Sequence, residues 1–318
     1  MLGILISEIP YHGIDPMILP IGGGIGLRWY GLMYAVGFTI GYYILVRLSK
    51  AKLLPADRED IGNLVFYMIL GVVIGGRLGY AIFYDSTLLN PIKFVQVWRG
   101  GLSFHGGLLG ITIGVLYYAR TRKVSFLRVG DCIALGATPG IFCVRVANFI
   151  NGELFGRITN ESVPWAMRFP KDPIAINLLS KHPLLRRYFE TGNPRDEEIG
   201  ILKAIREGIW DKISKQVPLR HPSQLYEALF EGLFLGFLLL LVYKVSKKKG
   251  RFLPNGAYAG IFLGGYGIAR FFIEFFREPD PQLGYVLGPF TRGQELCFLM
   301  VVFSVVIILY SFKKGKRA

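Results

Sequence analysis

Between Arg145 and Arg157 the chain reads RVANFINGELFGR, with two arginines, two asparagines and a glutamate in thirteen residues. The stretch follows an apolar run from Ile133 to Val144. A lipid-facing helix does not tolerate such a set, because unpaired polar groups in hydrocarbon are costly and charged ones more so. Something polar must meet those side chains. Arg145, Asn148 and Asn151 recur every three residues and share one broad helix face. Tyr266, Arg270 and Glu274 stand at i, i+4 and i+8, again on one stripe. Each guanidinium holds phosphate oxygens through two parallel hydrogen bonds, so Arg145 and Arg270 at one membrane depth suit an anionic headgroup. The plainer readings are Arg145 pairing with a carboxylate between helices, and an intrahelical Arg270–Glu274 pair.

Other chemistry-bearing residues are few. His105 lies among Gly100, Gly101, Gly106 and Gly107, where glycines let backbone or ligand approach closely. It reads either as an acid–base group or as a satisfied structural histidine. His221 opens HPSQLYEALFEG, with Ser223 as the expected N-cap of the helix that follows. His12 and His182 read as surface residues. Tyr30 and Tyr34 sit one turn apart, either as interface aromatics or as phenols facing a lipid site. Arg28, Arg77, Glu227 and Glu231 are further ionisable residues in or beside apolar segments, and such residues are candidate site residues by default. HExxH, CxxC, GxSxG and Walker-type patterns are absent, so neither a metal nor a cofactor is expected. Cys132, Cys143 and Cys297 fall inside apolar segments without paired spacing and read as packing residues.

These residues need membrane helices to position them. The 318-residue chain is 52% hydrophobic, with a mean hydropathy of +0.41 and 40 glycines. Its apolar residues come in blocks long enough to span, which predicts an all-α membrane protein with seven transmembrane helices near 28–47, 61–84, 102–119, 130–150, 223–243, 255–275 and 294–312. The net charge of +15 is distributed by side: seventeen Lys and Arg follow spans one, three, five and seven, against Lys93, Arg99, Arg277 and Arg292 in the two short loops opposite. That asymmetry places the N-terminus outside and the C-terminus in the cytoplasm. It also accounts for the basicity without nucleic acid, since no aromatic-interleaved basic groove exists. The expected order is an external lead-in over 1–27, four spans within 28–151, a small and mostly helical external head over 152–222, three spans within 223–312, and a basic cytoplasmic tail over 313–318. The lead-in lacks a basic start and is broken by Pro10, Pro16 and Pro20, unlike a cleavable signal. Within the head, Ile201, Ile205 and Ile209 share a face and predict one helix from Asp196 to Val217.

RVANFINGELFGR, GLSFHGGLLG, LRWYGLMYAVGF, HPSQLYEALFEG and ARFFIEFFREPD together resemble the bacterial prolipoprotein diacylglyceryl transferases, in that family's order and over nearly the whole chain. Ala147 stands where many members have glycine, and the external head is longer than usual, chiefly from about Pro170 to Val217, so no role is carried over within that stretch. The resemblance implies transfer of a diacylglyceryl group from phosphatidylglycerol to the lipobox cysteine of preprolipoprotein signal peptides, at the bacterial inner membrane and among its lipids. It implies Arg145 and Arg270 as phosphate-binding residues that stabilise the leaving group, Asn148 and Glu153 as supports of the loop, and Gly156 as the residue permitting its turn. Tyr30, His105, Tyr266 and Glu274 match further functional positions, as do Asp131 and Glu227. Asn151 joins the substrate-binding set through its place on the Arg145 face. A cysteine thiol is mostly protonated at neutral pH, its pKa being about 8.5, so a base is needed and His105 is the candidate. The competing reading is a transporter or flippase for an anionic lipid, which calls for polar residues through the full membrane depth.

Overall fold

A computed structural model describes residues 9–22, 25–97, 100–278, 285–287 and 290–315. Arg99, Lys316 and Arg317 of the charge balance, Pro279 and Asp280 of the ARFFIEFFREPD motif, and residues 1–8, 23 and 24 of the lead-in lie outside the described residues.

A helix covers each of the seven apolar blocks: α1 (Trp29–Lys50), α2 (Arg58–Phe83), α4 (Phe104–Thr121), α5 (Phe126–Ile150), α10 (Ser223–Lys248), α11 (Ala257–Ile273) and α12 (Arg292–Gly315). Among the described residues, α1, α2, α5, α10 and α12 are long and apolar enough to cross a membrane, while α11 is shorter. Their outward-facing leucines, valines and phenylalanines are exposed, as in Phe237, Phe298 and Leu309. Such a surface suits lipid and not water. The short α3 (Pro91–Val95) connects α2 to α4. Two antiparallel hairpins, β1 (Met17–Gly22) with β2 (Ile25–Arg28) and β3 (Tyr285–Leu287) with β4 (Phe290–Thr291), add to the expected helices. Their strands are too short to show a hydrophobic period.

The backbone divides into two compact units. The second contains Phe38–Pro139, Gly236–Gly264 and Val302–Ala318. In it α2 starts at a reciprocal cap: the Asp57 carboxylate accepts from the Asp60 amide at 2.7 Å, and the Asp60 carboxylate accepts from the Asp57 amide. Glycines on α2 and α4 let the two backbones touch; a Cβ at Gly75 would lie 2.9 Å from the Gly110 Cα. Asp131 is fully buried and accepts from the backbone amides of Gly256 at 2.8 Å and Ala259 at 2.9 Å, capping the start of α11.

The first unit contains Met1–Gly37, Gly140–Leu235 and Gly265–Val301, and holds the long segment between α5 and α10. Its helices α6 (Pro173–Ser180), α7 (Arg186–Phe189), α8 (Pro194–Arg206) and α9 (Ile209–Ile213) enclose a core of Ala175, Leu179, Leu185, Ile201, Ala204 and Trp210. The single helix expected from Asp196 to Val217 is broken. Gly208 adopts φ +68°, a left-handed conformation that ends α8 and starts α9, while Ile205 and Ile209 still pack on the same core. The lead-in is tied to this body by the Asp15 carboxylate, which pairs with Arg195 at 2.7 and 2.9 Å. His12 is half-buried, not a surface residue: its Nε2–H donates to the Phe149 carbonyl at 3.1 Å and its Nδ1 accepts from the Ile14 amide.

Candidate functional site

Three guanidiniums and three carboxylates meet inside the first unit. Arg145, on α5, reaches Glu227 Oε2 and Glu231 Oε2 on α10, each at 3.1 Å, and lies 3.5 Å from the Tyr266 hydroxyl. Arg270, on α11, bonds Glu227 Oε1, lies 3.8 Å from Glu231 Oε1, and pairs with Glu274 at 2.9 Å. Arg277, four residues past the end of α11, adds a contact to Glu227 Oε1 at 3.1 Å. Glu227 thus touches all three arginines. Glu227 and Glu231 are fully buried, and Glu274 is buried as well. Thr291 supports Glu274 by donating to its Oε1 at 2.9 Å.

Local backbone geometry brings this set together. Residues Ala228–Phe234 of α10 form a π-helical stretch, and Glu227 and Glu231 bracket its first turn. Wider turns of this kind recur at functional sites, and this one aims both carboxylates at α5 and α11. Glu227 Oε2, Glu231 Oε1 and Glu274 Oε2 are within ion-pair reach of arginine but receive no aligned N–H bond. Charge, more than directed hydrogen bonding, holds these contacts, so the carboxylates do not consume every guanidinium donor.

A charge-balanced cluster of arginines and carboxylates at a helix junction is general, and the chain's relatives make it specific. The family model described as prolipoprotein diacylglyceryl transferase matches residues 16–310. The phosphatidylglycerol–prolipoprotein diacylglyceryl transferase of Photobacterium profundum is 39% identical over 307 residues, covering 96% of each chain. The proteins of the same name from Yersinia enterocolitica and Burkholderia lata are 37% and 38% identical, covering 97% and 96% of this chain and 97% of each relative. The chain belongs to the prolipoprotein diacylglyceryl transferase family. Membership sets aside the transporter reading.

In this family member, the remaining expected residues fall into distinct places. Asn148 and Asn151 both donate to Glu153 Oε1, at 2.9 and 3.1 Å, so they hold the loop after α5. Gln224 and Ser223 clamp the same loop by donating to the carbonyls of Glu153 at 2.5 Å and Leu154 at 3.0 Å. Ser223 is therefore the first residue of α10 and not its N-cap; Pro222 precedes it, and the hydroxyl is spent on Leu154. Gly156 does not make a turn. It lies in an extended bridge to Arg277, where a Cβ would overlap the Phe276 carbonyl and come within 2.9 Å of the His221 Cβ. Arg157 then reaches back to the carbonyls of Arg277 at 2.8 Å and Glu274 at 3.3 Å, fastening the loop to the end of α11. Arg220 is another buried organiser, bonded to Asp172 at 2.5 Å and to the Gly156 carbonyl at 3.2 Å.

Tyr30 pairs edge-on with Tyr34, hydroxyls 3.5 Å apart. His105 belongs to the second unit, where it is exposed in the first turn of α4 behind the Ser103 cap. Asp131 is also in the second unit, as a helix cap. Arg277 escapes the sequence reading, where it counts only as loop charge, while Glu227 and Glu231 stand there as ionisable candidates without partners assigned. Two arginines in neighbouring apolar segments demanded buried carboxylates, and the Glu227–Glu231 pair at i, i+4 was the signal. Outside the apolar segments, burial lowers the His221 pKa; Tyr226 shares a 3.0 Å hydrogen bond with its Nδ1, and Trp165 donates to that same hydroxyl at 2.6 Å.

Proposed function

We propose that the protein transfers the sn-1,2-diacylglyceryl group of phosphatidylglycerol to the lipobox cysteine of preprolipoproteins, in the bacterial inner membrane, with seven spans, an external N-terminus and a cytoplasmic C-terminus. The observation that carries this reading is the cluster of Arg145, Arg270 and Arg277 around Glu227. In the reaction the thiol yields its proton to a base, the thiolate attacks the glyceryl carbon bearing the phosphate ester, and a carbon–sulfur bond forms as the carbon–oxygen bond breaks. The electron pair leaves on the phosphate oxygen of glycerol phosphate, which gains charge as it departs. Arg145 and Arg270 receive that charge, each contributing roughly 3–4 kcal/mol by analogy with an oxyanion donor. Glu227, Glu231 and Glu274 hold the guanidiniums in place before substrate arrives, and Tyr266 borders Arg145. Asn148, Asn151, Glu153 and Gly156 fix the loop that closes the site, Tyr30 lines the lipid approach, and His105 is the base.

Purified protein supplied with phosphatidylglycerol and a lipobox peptide is expected to release glycerol phosphate and to add diacylglyceryl mass to the peptide cysteine. Absence of both products across several detergents and lipid mixtures defeats the proposal.

A further inference from the structure

Arg77 is a charged residue in the last two turns of the apolar α2 that the cluster above does not use. Only 1% of its surface is exposed. Among the described residues no carboxylate approaches it; its donors all go to main-chain carbonyls of α3 and of the segment that leads from it to α4. Nε donates to Phe94 at 2.9 Å, one terminal nitrogen to Lys93 at 2.6 Å and Gln96 at 3.3 Å, and the other to Gly100 and to Gly101 at 3.1 Å. Five carbonyls therefore converge on one planar fork, an arrangement a lysine ammonium cannot reproduce.

The segment so held leads directly to His105. Gly100 and Gly101 have φ of +83° and +78°, a left-handed pair that turns the chain. A Cβ at Gly101 would lie 2.8 Å from the Arg77 guanidinium and 3.3 Å from the Tyr80 ring. Two residues on, the Ser103 amide donates to the Gly76 carbonyl, next to Arg77, at 2.9 Å, and the Ser103 hydroxyl caps α4 by accepting from Gly106. His105 is the second residue of α4. The Arg77 fork, the two turned glycines and the Ser103 cap thus fix where α4 begins and how its first turn is rotated.

We propose that Arg77 is a positioning residue for His105: its carbonyl clamp sets the entry of α4 and so the location of the imidazole during thiol deprotonation. This rests on His105 acting as the base, as proposed above. The clamp itself touches no substrate. Small displacements of a catalytic group cost rate far more than affinity, so the effect should appear in kcat, with KM for both substrates little changed.

The experiment compares Arg77→Lys, Gly101→Ala and His105→Gln in the full-length protein, reading kcat and KM for lipid and peptide, the pH–rate profile, and modification of His105 by diethyl pyrocarbonate. Arg77→Lys keeps the charge and loses the fork; Gly101→Ala keeps Arg77 and disturbs the same turn. Both are expected to lower kcat by about 100-fold, to move the acid-limb midpoint of the profile, and to change the modification rate of His105. Where Arg77→Lys fails to fold, Gly101→Ala decides alone. His105→Gln inactive with wild-type kcat and profile in the folded clamp variants overturns the positioning role. His105→Gln fully active overturns the base assignment, and the inference with it.

Discussion

Removing Arg145 separates its structural from its catalytic share. The guanidinium meets Glu227 and Glu231 at 3.1 Å each, a gross attraction of about 5 kcal/mol per contact at an effective dielectric near 20, most of it offset by desolvation. In Arg145→Ala the two carboxylates fare differently. Glu227 keeps Arg270 and Arg277, whereas Glu231 keeps only Arg270 at 3.8 Å. Glu231 is therefore the stranded charge, and the variant should lose about 3–5 kcal/mol of stability, the cost of breaking a buried pair from one side. Adding Glu231→Gln removes that charge and should return most of the loss, giving a coupling of about 2–3 kcal/mol in a double-mutant cycle. Turnover should not return. Both variants should remain about 100- to 1,000-fold slow, because the donor for the departing phosphate is missing in each. Thermal unfolding in detergent gives the stability arm, and glycerol phosphate release per folded molecule gives the rate arm. A double variant that regains both stability and turnover would show that Arg145 only joins helices.

Gly156→Ala should abolish turnover, since its Cβ has no room between the Phe276 carbonyl and His221; near-normal product release would refute the close approach. Asp131→Ala should cost about 1–2 kcal/mol in unfolding experiments by uncapping α11, with the rate per folded molecule unchanged; a selective loss of rate would return Asp131 to the site. Burial lowers the pKa of both His12 and His221, so the unfolded chain binds protons more readily than the folded one. Their stability contribution is then complete above the ordinary histidine value of about 6.5 and is lost as pH falls below it; His12→Gln with His221→Gln should flatten that acid limb of the melting curve.

The helices were legible because lipid imposes one rule on every span: long apolar blocks, with charges at their ends. Arg145, Arg270 and Glu274 were legible for the opposite reason, as polar groups placed where the solvent penalises them. What they touch was not. Whether Glu227 and Glu231 face α5 depends on the rotation of α10, and the π-helical stretch that sets it leaves no pattern in residue type. Arg77 shows the limit of the default that an intramembrane charge marks a site, for main-chain carbonyls satisfy it as fully as a carboxylate would. Gly156 shows another: the sequence marks a glycine as special, but only packing reveals that the constraint is close approach and not a turn.

For the reaction proposed above, bare guanidiniums would bind phosphatidylglycerol more tightly than a balanced cluster, yet would serve turnover less well. Three uncompensated cations in the protein interior are costly to bury, and strong binding of the ground-state diester deepens the well from which the reaction must climb. Opposing Arg145, Arg270 and Arg277 with Glu227, Glu231 and Glu274 brings the formal charge to zero before substrate enters. The diester brings one negative charge, and the leaving glycerol phosphate develops a second. An arginine shared with misaligned carboxylate oxygens has donors left to meet that second charge as it forms. Only interactions that strengthen toward the transition state raise kcat, and a balanced cluster reserves its donors for that moment.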